Sequence, residues 1–118
     1  MNSKNTTQLP PLRIEEAKPP IPPSDDWLLS LKDVPGEGAT VIIQPTKIGT
    51  SKDRLQIYIG GKVVVDVEFN NNPPQEIRAR IPRDVLLRNL GVQTIHYMIR
   101  IGQGNGEMGE SAKFQITH

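Results

Sequence analysis

From Ala39 to the end of the chain, apolar residues recur at every second position, the period of a strand with one buried face. Thr40 to Gln44 is a short apolar run. Leu55, Ile57 and Ile59 alternate with Gln56 and Tyr58. After Gly60-Gly61, Val63, Val65, Val67 and Phe69 alternate with Asp66 and Glu68, so the two segments predict a hairpin. Ile77, Ala79 and Ile81 point one way and Glu76, Arg78 and Arg80 the other. Ile95, Tyr97, Ile99 and Ile101 form the longest alternation, with His96, Met98 and Arg100 outward. Ala112, Phe114 and Ile116 form the last. Asn70 to Pro74 and the glycine-rich Gly102 to Gly109 interrupt the pattern as turns.

One stretch has helical rather than strand spacing. Leu86 and Leu90 are four apart, Pro82 suits a helix start and Gly91 a helix end, which predicts a short helical crossover over 83–90. Six strong strands, a candidate seventh and almost no helix give an all-β fold, two antiparallel sheets packed face to face. A closed barrel is the alternative. The crossover favours the sandwich, because a chain passing between sheets needs such a connection.

Proline usage changes the picture before Ala39. Seven of the eleven prolines lie at or before Pro35, which favours extended or irregular backbone there. Residues 1–26 are therefore expected as a Pro-rich, partly disordered lead-in or linker with a candidate edge strand at 12–17, and 27–118 as the sandwich. Lys18 to Pro23 reads as a semi-rigid linker in preference to a ligand for a proline-binding groove. Trp27, Leu28, Leu29 and Leu31 are expected to seal one end of the sandwich, with Asp25 or Asp26 capping a helical turn.

Several short features then occur in order. Leu9-Pro10 precedes a strand ending Glu15-Glu16-Ala17, followed by Ala39 to Ile43 and by Asp53-Arg54-Leu55 at the head of a strand. Ile81-Pro82 comes next, then Leu90-Gly91 ahead of the strand carrying Tyr97, and last Phe114 to Thr117 after a Gly/Asn/Ser-rich hairpin. In this order the span from Leu9 to Thr117 resembles the immunoglobulin-like repeats of large bacterial exported and surface proteins, particularly those of pseudomonads. The resemblance implies an immunoglobulin-like antiparallel β-sandwich of about seven strands. It also implies a non-catalytic structural spacer or protein-interaction role, and an extracellular or cell-surface place within a larger protein. Tyr97 is expected either as a plain core residue or with its hydroxyl returned to backbone across the Leu90-Gly91 corner. The paired cysteines of antibody domains are absent and Trp27 precedes the patterned strands, so the antibody subtype is not supported.

Charge and chemistry narrow the function classes. Fourteen basic against thirteen acidic residues leave a net charge of +1, and Arg78, Arg80, Arg83 and Arg88 are interspersed with Glu76 and Asp84, which argues against nucleic acid as a partner. No run reaches the ~18–20 apolar residues of a membrane span, nor does Met1 to Pro10 hold the apolar core of a signal peptide, so no membrane insertion is expected and a cytoplasmic place stays open. With no cysteine there is neither disulfide nor thiolate metal site. Gly102 to Gly106 lacks the lysine and following helix of a phosphate loop. Glu15-Glu16 and Asp25-Asp26 are adjacent acids that diverge on an extended chain and read as solvated charges. His96 has no nucleophile beside it. The reading is of no enzyme, no cofactor and no metal. A contact surface is expected at Tyr58 and Met98 on an outer face, at Gly104 and Asn105 in the glycine-rich tip, at Lys47 in the loop from Pro45 to Asp53, and at Trp27. The partner would be a neighbouring domain or another protein. Carbohydrate is the alternative, and would need Trp27 and Tyr58 to converge.

Overall fold

The computed structural model describes residues 9–45, 52–70, 75–100 and 106–118. The alternating segments form the ladders of two sheets. β4 (Asp53–Ile59) and β5 (Lys62–Phe69) make a hairpin closed by Gly60 and Gly61, whose φ of 58° and 84° are the conformation a two-residue turn demands. β7 (Gly91–Arg100) lies on the other side of β4, with Ile57 opposite Tyr97 and Leu55 opposite Ile99. The two halves of β7 have different partners, β8 (Gly106–Met108) at its C-terminal end and β9 (Ala112–Thr117) at its start. The smaller sheet runs β1 (Arg13–Ile14), β3 (Ala39–Ile43), β6 (Ile77–Ile81).

The helical spacing resolves into α1 (Arg83–Leu87), which carries the chain from β6 in the small sheet to β7 in the large one. A helix this short is not stable alone. Fully buried Leu86 pins it to the core, and Arg83 Nη2 donates to the Leu31 carbonyl at 3.3 Å. Leu90, four residues on, is 43% exposed because the helix has already ended. Between the sheets lie Leu29, Val41, Ile43, Leu55, Ile57, Ile81, Ile95, Ile99, Phe114 and Ile116, all essentially inaccessible. The protein is an all-β, two-layer sandwich.

Three local expectations are corrected. Trp27 to Ser30 is a strand, β2, not a helical turn, and pairs in parallel with β9, Trp27 opposite Phe114 and Leu29 opposite Ile116. Neither Asp25 nor Asp26 caps a helix. Ser30 does so for the 3-10 turn Leu31–Asp33, its Oγ accepting from the Lys32 amide. Second, the β4–β5 ladder slips, so that Ile57 faces Val65 but Tyr58 faces Val63. Val64 is the extra residue, and the bulge turns Val63 outward, 47% exposed, where unbroken alternation would bury it. Third, the Tyr97 hydroxyl does return to backbone, but to the Pro10 carbonyl, not to the Leu90-Gly91 corner.

The segment before β2 is stitched to both sheets. Leu12 and Ile14 reach the common core. The Glu16 carboxylate accepts from both the Thr40 amide (2.8 Å) and the Thr40 hydroxyl (2.9 Å), so this acid is a clasp on β3 and not the solvated charge expected of it. Farther on, Lys18 and Leu28 exchange two backbone hydrogen bonds of 2.7 and 2.9 Å along the outer edge of β2. Residues 14 to 28 thus run from the edge of one sheet to the edge of the other.

At the opposite end of that segment, Leu9 donates to the Met108 carbonyl and accepts from the Glu110 amide, and Gly109 donates to the Tyr97 carbonyl. Gly109 lies so close over the Tyr97 ring that a methyl group there would overlap it. Gly109→Ala is therefore expected to cost about 3 kcal/mol, the upper range for overpacking, measured as a fall in the urea midpoint with unchanged m. A loss under about 0.5 kcal/mol would show that the ring and glycine are not in this contact.

Candidate functional site

The outer face of the large sheet is the strongest candidate. The pairings place side chains on it row by row. Val63, Tyr58 and His96 lie side by side across β5, β4 and β7, and Asp66, Gln56, Met98 and Met108 form the next row. The Tyr58 and His96 rings are stacked, centroids 4.6 Å apart and planes within 3°. Cross-strand aromatic pairs of this kind are a usual unit of sheet stabilisation. Met98 lies half-buried over Gly106, whose lack of a side chain makes room for the thioether. Met108 and Val63, at the ends of the rows, are 43% and 47% exposed.

A polar network fixes Tyr58. Its hydroxyl donates to Gln56 Oε1 at 3.1 Å, the same oxygen takes Arg100 Nε at 3.0 Å, and the Gln56 amide and Arg54 Nε both reach the Asp66 carboxylate. The Gln56 amide, with Arg54 adding to it, draws the Asp66 carboxyl below its ordinary range. The arrangement is an apolar band beside a charge-compensated polar patch. Contact surfaces share this composition of apolar residues beside satisfied polar groups.

The expected contact residues are not one site. Tyr58 and Met98 share the outer face. Trp27, paired with buried Phe114, is on the inner side of the same sheet near its edge, so Trp27 and Tyr58 stand on opposite faces and build no joint sugar platform. Lys47, Gly104 and Asn105 lie outside the described residues. Sequence reasoning missed Val63 and Met108. For Val63 the bulge reverses its facing. Met108 sits in a glycine-rich stretch read as a loop, and its strand partner, Met98, is the only thing that places it.

Among the described residues the acid–base candidates do not converge. His96 is committed to its stack, Glu16 to Thr40, and among the described residues no three of His, Asp and Glu are grouped as metal ligands. Burial pushes the Tyr97 phenol up from 10.0 to about 12. A perturbed group in a cleft can mark chemistry. Here the hydroxyl is spent on a backbone carbonyl and the ring is 1% exposed, so the role is structural. Searches against protein-family models, curated proteins and solved structures return no match.

The Tyr97 phenol makes stability pH-dependent in one direction. The folded chain keeps this proton to about pH 12 and the unfolded chain loses it near 10, so its contribution is complete below pH 10 and is lost as the pH rises towards 12. Between pH 9 and 11.5 the native protein is expected to lose about 2 kcal/mol more than Tyr97→Phe in urea unfolding. Parallel losses in the two proteins would contradict the buried neutral phenol.

Proposed function

We propose that the chain is a non-catalytic, immunoglobulin-like module that acts as a spacer or protein-interaction domain in a larger bacterial exported or surface protein. The observation that carries the interaction role is the apolar band of Val63, Tyr58, His96, Met98 and Met108 on a sheet face that no other element covers among the described residues. Five residues spread over four strands form one contiguous patch, which is a different matter from single exposed apolar side chains.

Strand order supports the immunoglobulin-like reading. Taken in turn as A, B, C, C′, E, F and G, the strands β1, β3, β4, β5, β6, β7 and β9 give A-B-E packed on C′-C-F-G. β2 extends the second sheet beyond G by its parallel pairing. The bacterial surface setting rests on the sequence resemblance alone. A non-catalytic role is supported by the commitments of Tyr97, Glu16 and His96 to structural contacts.

The test is site-specific photo-crosslinking in the native host with a benzoylphenylalanine at position 63, and at position 78 on the exposed side of the small sheet as control. One discrete protein adduct from position 63, lost with Tyr58→Glu and absent from position 78, is the expected result. Equal labelling from both positions, or none from position 63, removes the interaction role and leaves the spacer.

A further inference from the structure

A trough separate from the outer face runs along the seam where β1 meets β2 and β9. Its inner end is a cavity of about 210 Å³ walled mainly by apolar residues, among them Pro11, Leu12, Trp27 and Phe114, with Arg13 and Glu15 also on its lining. The inward positions of β9 are Ala112, Phe114 and Ile116, and the cavity lies against the one small residue among them. The prolines on the far wall have no side-chain reach with which to fill it. Its outer end, about 620 Å³, is open and polar, carrying Ser24, Asp25, Asp26, Ser111 and Lys113. Trp27, Pro11 and Ala112 belong to both compartments.

The two compartments call for different chemistry on one ligand. An engineered apolar cavity of about 150 Å³ takes up benzene, so this one admits a single aromatic ring with its methylene. Trp27 and Phe114 supply faces and edges for it. Across the two compartments the three carboxylates of Glu15, Asp25 and Asp26 outnumber the cations of Arg13 and Lys113, and neither the Asp25 nor the Asp26 carboxylate is in an ion pair or hydrogen bond among the described residues. The Ser111 hydroxyl and the Ser24 hydroxyl, whose oxygen already accepts from the Asp26 amide, line this compartment and can meet polar groups of a ligand. We infer that this seam binds an extended peptide segment, holding one aromatic side chain in the cavity and a neighbouring lysine or arginine at Asp25 and Asp26.

Trp27 is the only tryptophan in the chain, so its emission reports the site directly. The whole chain is titrated with acetyl-Lys-Phe-Lys-amide, and with acetyl-Lys-Ala-Lys-amide and acetyl-Glu-Phe-Glu-amide as controls. A saturable change with the first peptide is expected, with binding weaker by about tenfold or more for each control. Ala112→Leu, which fills the cavity, is expected to abolish the signal, and Asp25→Asn/Asp26→Asn to weaken binding several-fold and flatten its salt dependence. Should Ala112→Leu fail to fold, the double variant, at one exposed and one half-buried position, and the alanine peptide still decide. No saturable change up to millimolar peptide, or equal binding of the alanine or glutamate peptide, overturns the inference. Tyr58→Glu is expected to leave this titration unchanged, so failure here is distinguishable from failure of the outer-face reading.

Discussion

The contact on which this structure turns is that of Tyr97 with the chain's N-terminal segment. Its ring lies under Gly109, where no side chain would fit, and its hydroxyl donates to the carbonyl of Pro10, 87 residues away. Leu9 is bound between Met108 and Glu110 on the same spot. A buried phenol without a partner would cost about 1–3 kcal/mol, so the hydroxyl and the Pro10 carbonyl hold one another in place. From that anchor the chain enters β1 with Leu12 and Ile14 already against the core. Pro11 is thereby set across the seam from Trp27, and the cavity between them exists because the anchor holds.

The rest follows from what each sheet leaves uncovered. The inner faces are lined mainly by apolar side chains, with buried Asp53 at the start of β4 as a polar exception. At one side of the sandwich the gap between the sheets is crossed by residues 14 to 28, clasped to β3 through Glu16 and to β2 through Lys18. At the other side β5 is a long edge strand. The Val64 bulge, Lys62, Asp66 and Glu68 blunt it against pairing with further chains. The bulge also has a second effect, since it brings Val63 beside Tyr58 on the outer face. Protection of the edge and enlargement of the apolar band come from one extra residue.

Period-two alternation made most of the fold legible, because burial of a single face is a local property written every second residue. β6 and β9 follow it throughout, as do Leu55 to Ile59 of β4 and Ile95 to Arg100 of β7, whereas Val92 lies exposed at the start of β7 and Asp53 buried at the start of β4; the crossover near 83–90 was visible as a break in period. What stayed hidden depends on residues far apart in sequence. Trp27 to Ser30 is four residues long with no alternation, and becomes a strand only because β9, almost ninety residues later, offers a parallel edge. The Glu16 clasp needs Thr40 and the Tyr97 hydroxyl needs Pro10, pairings no local pattern encodes. Of the site, Tyr58 and Met98 were legible as outward positions, whereas Val63 and Met108 depended on a register slip and on a partner strand.

Residue-resolved amide hydrogen exchange of Tyr97→Phe, under conditions where the variant is still folded, tests the central claim that Tyr97 holds the N-terminal segment in the sandwich. Removing one oxygen leaves the ring in place and the Pro10 carbonyl without its donor. Exchange at the Leu9 and Glu110 amides should then accelerate well beyond any change in β4 and in the start of β7, as that segment opens locally. If Leu9 and Glu110 instead exchange no faster relative to β4 than they do in the native protein, the segment is held by other means and the account is contradicted.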